Sequence, residues 1–346
     1  MDHDHLDVAR ERVRLHLSRG LYDAALQDVD QALASAPDDA ELQRLRVVAL
    51  LDSGRSQWAL DAANHALVAD PDDPTLHLLA SMALSRLGHH GDAVAAAGES
   101  ARLAPFEPEP QRQLARAYAA GGPQWSAEAR LAAGRALELG PREADSHLAM
   151  VDAVFPQGRR PGRRDLELAE HHVRAALDLE PESPMALNEL ARIQMARRRP
   201  AAAAGTLARA VSGSPQEQLF HANMDVALTN NVAIAHWALF LSVFIIGRID
   251  AIPERPRFGI IAGLSLLAVG FIVVRLLREV PTARGAYLRG FARRQPLVAI
   301  WACLLLVGVL AFLLGAATGF AGAYGIGVGC LLVGAVLSWV AWARNR

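Results

Sequence analysis

Residues 108–143, PEPQRQLARAYAAGGPQWSAEARLAAGRALELGPRE, hold two apolar patterns of helical period, divided by Gly121-Gly122-Pro123 and closed by Pro141. The same closure recurs at Pro37, Pro71, Pro105, Pro141, Pro181 and Pro215, at separations of 34, 34, 36, 40 and 34 residues. A period near 34 marks a solenoid, in which each unit is a helical hairpin that buries its apolar face only against its neighbours. The units are 6–39, 40–73, 74–107, 108–143, 144–183 and 184–217. Proline ends the second helix of each, and the acids that mostly follow suit the positive end of the next helix. A small residue stands twelve before each proline (Ala25, Ala59, Ala93, Ala129, Ala169, Ala203) and another five before it (Ala32, Ala66, Ser100, Ala136, Ala176, Ala210). Small side chains at these spacings let antiparallel helices approach closely, so both sets are predicted packing positions. Gly20, Gly54 and Gly88 share one phase, where a glycine closes the first helix and turns the chain.

With Leu114, Ala115, Tyr118, Ala129 and Pro141 as the fullest match, segment 6–217 resembles six tetratricopeptide repeats. The resemblance implies an all-α helical-hairpin solenoid over 1–217 and a binding or scaffolding role, because that family consists mainly of interaction modules. The first three repeats lack the usual aromatic residues in their first helix. The fourth repeat gains two residues near Gly121 and the fifth gains six across 155–164, both between the two helices of the repeat, where they lengthen loops. Arg159, Arg160, Arg163 and Arg164 of the longer loop have no interleaved aromatics, which favours a solvated loop over a nucleic-acid or lipid contact.

The chain has 346 residues, 52% of them hydrophobic, with 36 acidic and 35 basic side chains. All the basic residues are arginine, which excludes Schiff-base lysine chemistry and a phosphate-loop lysine. The excess of alanine, glycine and arginine suggests a GC-rich bacterial genome. Residues 1–218 hold 32 acids against 24 arginines and residues 219–346 hold 4 against 11, so the halves carry −8 and +7. Cys303 and Cys330 lie in apolar runs, which leaves the first half without a disulfide framework or thiolate cluster. The acidic start, MDHDH, lacks the basic and apolar segments of a secretory signal, so the repeats are expected in the cytoplasm.

Four apolar runs follow, 232–249, 258–277, 297–317 and 320–342, and each reaches the length of about 18 residues that crosses a hydrocarbon core as a helix. Residues 218–231 are expected to form a capping and linking helix, because Phe220, Met224 and Leu228 recur on one face and solenoid ends need covering. His236, Arg248 and Arg275 are the only His, Arg, Asp or Glu residues within the runs, and His236 and Arg275 lie near an end, where snorkelling to the interface is expected. The link 278–296 carries Arg278, Arg284, Arg289, Arg293 and Arg294 against one acid, and the tail carries Arg344 and Arg346. The positive-inside rule makes both cytoplasmic, and four crossings return the repeats to the same side of a plasma membrane. The five link arginines are candidate contacts for anionic lipid. Glycine pairs four apart, such as Gly259 and Gly263, Gly315 and Gly319, and Gly325 and Gly329, fit close packing of helices in lipid or self-association.

The sequence holds no HExxH, phosphate loop, nucleotide-binding glycine turn or GxSxG elbow, so neither enzyme activity nor a cofactor is expected. His89-His90 and His171-His172 are adjacent pairs, and neighbours on a helix point about 100° apart, which favours solvated surface over a metal site. Met1-Asp2-His3 has the amine and third-position imidazole of a square-planar copper or nickel site, with no other support in the sequence. The remaining candidate is the solenoid's inner face, where residues at offsets 1, 4, 5 and 8 from each repeat start fall together. These include Arg10 and Arg14 with Asp7 and Glu11, then Arg44, Leu45 and Val48, then Leu78, Leu79 and Met82, then Arg112 and Arg116 with Glu109 and Gln113. An apolar floor between arginines would anchor side chains of a protein or peptide partner while arginine forks take its carboxylates. The same leucines would serve equally as packing between helices. Lysine is absent and asparagine appears on this face only at Asn188, so the lysine and asparagine clamp of chaperone-tail binders is not expected. Nucleic acid is not an expected partner. The expected function is a membrane-anchored scaffold. The second expectation is an accessory or regulatory subunit of a transport, secretion or insertion complex, which a paired charge or polar stripe within the apolar runs would favour.

Overall fold

The structure, a computed structural model, describes residues 3–155, 161–213, 218–247, 254–279, 290–320 and 322–344. The described residues form helices joined by turns, with no strand among them, in two compact units, Met1–Pro181 and Glu182–Arg346.

The first unit is five hairpins: α1 (His3–Ser18) with α2 (Tyr22–Leu33), α3 (Ala40–Asp52) with α4 (Ser56–Ala69), α5 (Pro74–Arg86) with α6 (His90–Leu103), α7 (Pro108–Ala120) with α8 (Ser126–Leu139), and α9 (Ala144–Val154) with α10 (Arg163–Leu179). Within it each second helix packs on the next first helix, and successive first helices touch. The twelve small residues that recur with the prolines are all buried, and the set headed by Ala25 has no exposure at all. Ser100 joins its set by donating to the Pro74 carbonyl at 2.7 Å, which satisfies a hydroxyl that burial would otherwise penalise.

The turns explain the glycine phase. Gly20, Gly54, Gly88 and Gly122 all take positive φ, and Arg198 stands at the same phase of the sixth repeat with φ 58°. At the second repeat the Gly54 N–H donates to Leu51 O at 2.9 Å and the Arg55 N–H to Leu50 O at 2.8 Å, the paired bonds of a Schellman motif. Gly20, Gly88 and Arg198 close their helices with the same pair of bonds. Pro215, Arg159 and Arg160 lie outside the described residues. Arg163 and Arg164 are exposed at the start of α10, where Arg163 pairs with Glu167 at 3.0 Å.

In the second unit the sixth hairpin, α11 (Pro184–Ala196) with α12 (Pro200–Gly213), precedes α13 (Gln218–Gly247), α14 (Glu254–Glu279), α15 (Pro296–Thr318) and α16 (Gly322–Arg344). One apolar cluster runs from Ala191, Ala203, Ala204 and Leu207 of the hairpin through Met224, Ala227 and Leu228 to Trp301, Leu305 and Leu331. The change of composition at 231 does not interrupt α13: one helix covers the last repeat and continues as an apolar span.

Among the described residues three helices are long and apolar enough to cross a membrane, Leu219–Ile246, Pro296–Thr318 and Gly322–Val340, rather than the four expected. In α14 the apolar stretch is the shorter Gly259–Phe271, in a helix whose sequence carries Arg255, Arg257, Arg275 and Arg278 toward its ends. Leu241, Leu267, Leu310 and Val336 are each more than half exposed, as side chains facing hydrocarbon would be. The side chain of His236 does not reach outward. It is fully buried, its Nδ1 accepts from the Trp301 indole N–H at 3.3 Å, and its ring lies against Gly334.

The turns make a paired prediction. A left-handed backbone costs a non-glycine residue about 1–2 kcal/mol, so Gly54→Ala should destabilise by about that much although nothing lies within 4 Å of the added methyl. Arg198→Gly should stabilise by a similar amount. Thermal or denaturant unfolding of the two variants checks both signs.

Candidate protein-binding surface

The arginines of the first-helix face are engaged within the solenoid. Each first helix after the first begins at a residue just past the repeat boundary, and in two repeats that boundary residue caps it. Asp39 accepts the Leu42 N–H of α3 at 2.9 Å, and Asp73 accepts the Thr75 and Leu76 N–H groups of α5 at 2.8 and 3.1 Å. Such caps satisfy backbone donors that the helix leaves open. The preceding repeat then grips the cap. Arg10 bonds to Asp39, and Arg44 Nε donates to Asp73 at 2.6 Å. Arg112 bonds in the same way to Glu143, which stands just before α9. Leu78 occupies this phase in the third repeat, and there Glu107 makes no side-chain cap to α7.

Burial alone would push the Asp39 carboxyl up, but the hydrogen bonds from Arg10 and from the Leu42 and Glu41 N–H groups, with the Arg10 charge, bring it below the usual carboxylate range. The Asp39 hydrogen bond holds the Arg10 guanidinium above its ordinary value. Arg14 and Arg116 are more open. Arg14 is 50% exposed and bonds to Glu11 and Glu41, and Arg116 is 39% exposed and lies 3.5 Å from Asp152 and 3.8 Å from Asp145.

Leu78 and Leu79 are buried members of the amino-terminal core, whereas Leu45, Val48 and Met82 are partly buried against it. Gln113 is buried and donates to Ser81 Oγ at 3.0 Å, another tie between first helices. Asn188 accepts from Asn223 of α13 at 2.7 Å, inside the second unit. Of the link arginines, Arg284 and Arg289 lie outside the described residues, and the side chain of Arg278 is not described. Arg293 is exposed, and Arg294 forks onto the buried carboxylate of Asp225 at 2.9 and 3.0 Å. Met1 and Asp2 of the amino-terminal candidate lie outside the described residues, and no group of three or more His, Cys, Asp or Glu donors converges among the described ones.

Sequence reasoning missed the pair His147 and His172, whose Nδ1 atoms lie 3.1 Å apart across the fifth hairpin. The signal was present in the repeat phase, since Gln43, His77 and His147 all reach back to the carbonyl of the repeat-closing proline six residues earlier, at 2.7, 2.8 and 3.3 Å.

The tetratricopeptide repeat family pattern matches residues 10–74 and 162–217. Together with the hairpin geometry, this places the repeats of the chain in that family, whose members mediate protein–protein interaction. A thermophilic tetratricopeptide repeat protein of Thermus thermophilus is similar at 22% identity and a TM-score of 0.49, over 55% of this chain and 98% of that one. A tetratricopeptide repeat protein of Parabacteroides merdae is similar at 13% identity and a TM-score of 0.47, over 79% of this chain and 98% of that one. YrrB, a tetratricopeptide repeat protein with an unusual peptide-binding site, is similar at 16% identity and a TM-score of 0.35, over 56% of this chain and 95% of that one. No curated protein matches the chain.

Because Asp39 both caps α3 and holds Arg10, Asp39→Ala should cost about 1–2 kcal/mol, the usual range for losing a cap. The sign with pH follows from a lowered folded pKa: the contribution is present above the unfolded value of about 3.9 and is lost as pH falls through the folded value. Unfolding measured from pH 7 down to pH 2 should therefore show the gap between wild type and variant closing at the acid end.

Proposed function

We propose that the chain is a membrane-held scaffold that recruits a protein or peptide on the first-helix face of its repeats, in the cytoplasm. The observation that carries this reading is the contrast among the arginines. Arg10 and Arg44 each hold one carboxylate that is nearly or wholly buried, Asp39 and Asp73 at 10% and 0% exposure, whereas Arg14 and Arg116 pair only with more open carboxylates. Exposed ion pairs are worth roughly 0–1 kcal/mol, so a partner's carboxylate displaces an internal one at small cost. Leu45, Val48 and Met82 supply the apolar floor between them. Leu78 and Leu79 support it from the core.

A photocrosslinking residue at position 48 or 82 should trap the partner in native membranes, and one at Val68 or Leu131, exposed on second helices, should not. Adducts confined to 68 and 131 would move the site to the other face. Met82→Glu should abolish capture with helicity intact, because truncating an interface anchor typically costs about 2 kcal/mol or more. Leu79→Glu should instead unfold the solenoid.

The orientation rests on the arginine distribution and on helix direction. Asp225 meets Arg294 near the start of α13 and α15, and His236 meets Trp301 further along both, so the two helices run the same way from one side. If both cross, the chain between them returns through α14, whose apolar stretch is the shorter, and both termini then lie on one side. Labelling of tags at the two ends should proceed from the same face of sealed membranes. Labelling from opposite faces would mean that α14 does not cross.

The second reading, an accessory subunit of a transport or insertion complex, is favoured by one observation: the buried Nε2 of His236 has no hydrogen-bond partner among the described residues. An intramembrane ionisable group is kept for function more often than for packing.

A further inference from the structure

At the left-handed position of the turn, where Gly20, Gly54 and Gly88 stand in the first three repeats, the sixth repeat keeps Arg198. Strain that a glycine would relieve points to a task for the side chain that keeps it. That side chain lines a cavity of about 390 Å³ between the hairpin turn, with Met195 and Pro200, and a stripe of α13 that runs from Asn230 through Ile234 to Trp237. The stripe covers about 10 Å of helix and changes character along its length. Asn230 at its start is polar and exposed, whereas Ile234 and Trp237 are apolar and 47% and 52% exposed, so the cavity opens outward where α13 turns apolar. Charge at the polar end is uncompensated. Arg197, Arg198 and Arg199 are consecutive, and neither Arg198 nor Arg199 pairs with a carboxylate among the described residues. The described acids from Glu182 to the end of α13 serve other arginines: Glu182 holds Arg209 at 2.8 Å, Glu189 holds Arg192 at 2.6 Å and Asp225 holds Arg294 at 2.9 Å.

We propose that this cavity binds an anionic phospholipid of the leaflet beside the repeats, with the phosphate on Arg198 and an acyl chain along Ile234 and Trp237. A lipid reaches the cavity only if α13 enters a bilayer, so the site rests on the membrane-held reading above. A guanidinium forks onto two phosphate oxygens, where an ammonium offers a point charge. The flanking arginines add positive potential that favours a net negative headgroup over a zwitterionic one. The indole of Trp237 is amphipathic and suits the depth of the glycerol and ester groups. Met195 and Pro200 give the opposite wall an apolar surface for the first chain carbons. A free phosphate would meet only Arg198 and Asn230 and leave those walls in water, which favours the lipid as occupant. Bound there, the lipid joins the sixth hairpin to α13 and stabilises that junction by mass action. The cavity is distinct from the link arginines expected to meet lipid, of which Arg294 serves Asp225.

Arg198→Gly removes the guanidinium and leaves the fold intact, because glycine suits the left-handed turn, and Arg198→Lys keeps the charge without the fork. The full chain is reconstituted in phosphatidylcholine vesicles that carry a trace of photoreactive phosphatidylglycerol or of photoreactive phosphatidylcholine. Phosphatidylglycerol should label residues 195–200 and 230–237 of wild type, phosphatidylcholine should label them weakly, and inorganic phosphate at fixed ionic strength should not suppress the label. Labelling by phosphatidylglycerol should fall about fivefold or more in Arg198→Gly, as expected for one arginine at an anionic surface, and less in Arg198→Lys. In detergent, phosphatidylglycerol should raise the unfolding midpoint of wild type more than that of Arg198→Gly. Equal labelling of wild type and Arg198→Gly, equal labelling by the two lipids, or suppression by inorganic phosphate would overturn the lipid site alone. Release of wild type from neutral vesicles by a urea wash would instead overturn the membrane-held reading, and the site with it.

Discussion

The contact on which the first unit depends is a carboxylate held from two sides. Asp39 and Asp73 each close the open end of one helix and receive an arginine from the repeat before, so the same carboxylate that begins one hairpin fastens it to its predecessor. A solenoid has only nearest-neighbour interfaces, and its stability is close to a sum of repeat terms and junction terms. Where the small buried residues set how close the helices come, the arginine and cap set their register along the stack. The alanines contribute little apolar area individually, and the polar contacts supply direction that alanine packing lacks.

The second unit is organised differently. Its last repeat has no following repeat to cover it, and the first turns of α13 take that place through Phe220, Met224 and Leu228, all buried. The core then passes without a gap into the apolar helices, where Trp301 and Phe312 fill the centre. Asp225 belongs to this junction, buried and gripped by Arg294, so charge is confined to the end of α13 nearest the repeat.

Much of this was legible in the sequence because repetition converts weak local preferences into a pattern. The prolines located the turns, the recurrent alanines located the interfaces, and the three glycines located the left-handed residues of the hairpins. Arg198 was not legible, since its residue type argues against the conformation that the repeat imposes on it. Arg10, Arg44 and Arg112 share a phase, and the acids Asp39, Asp73 and Glu143 share another, but spacing alone does not tell an internal tie from a rim that awaits a partner. His171 and His172 drew attention as chain neighbours, whereas the contact that matters is with His147 on the other helix. His236 looked terminal because the apolar run was counted from 232. The helix begins at Gln218, which places that histidine near its middle.

The unbroken course of α13 has a mechanical consequence. A domain tied to an anchor by a slack segment sweeps a volume around its attachment, and its height is a distribution. Here the fourteen residues from 218 to 231 are helical throughout, and at 1.5 Å per residue they form a strut of about 20 Å. The sixth repeat packs on that strut through Phe220, Met224 and Leu228, so it is held at one distance from the apolar stretch that follows. A force applied there arrives as a tilt of α13, not as slack taken up in a tether.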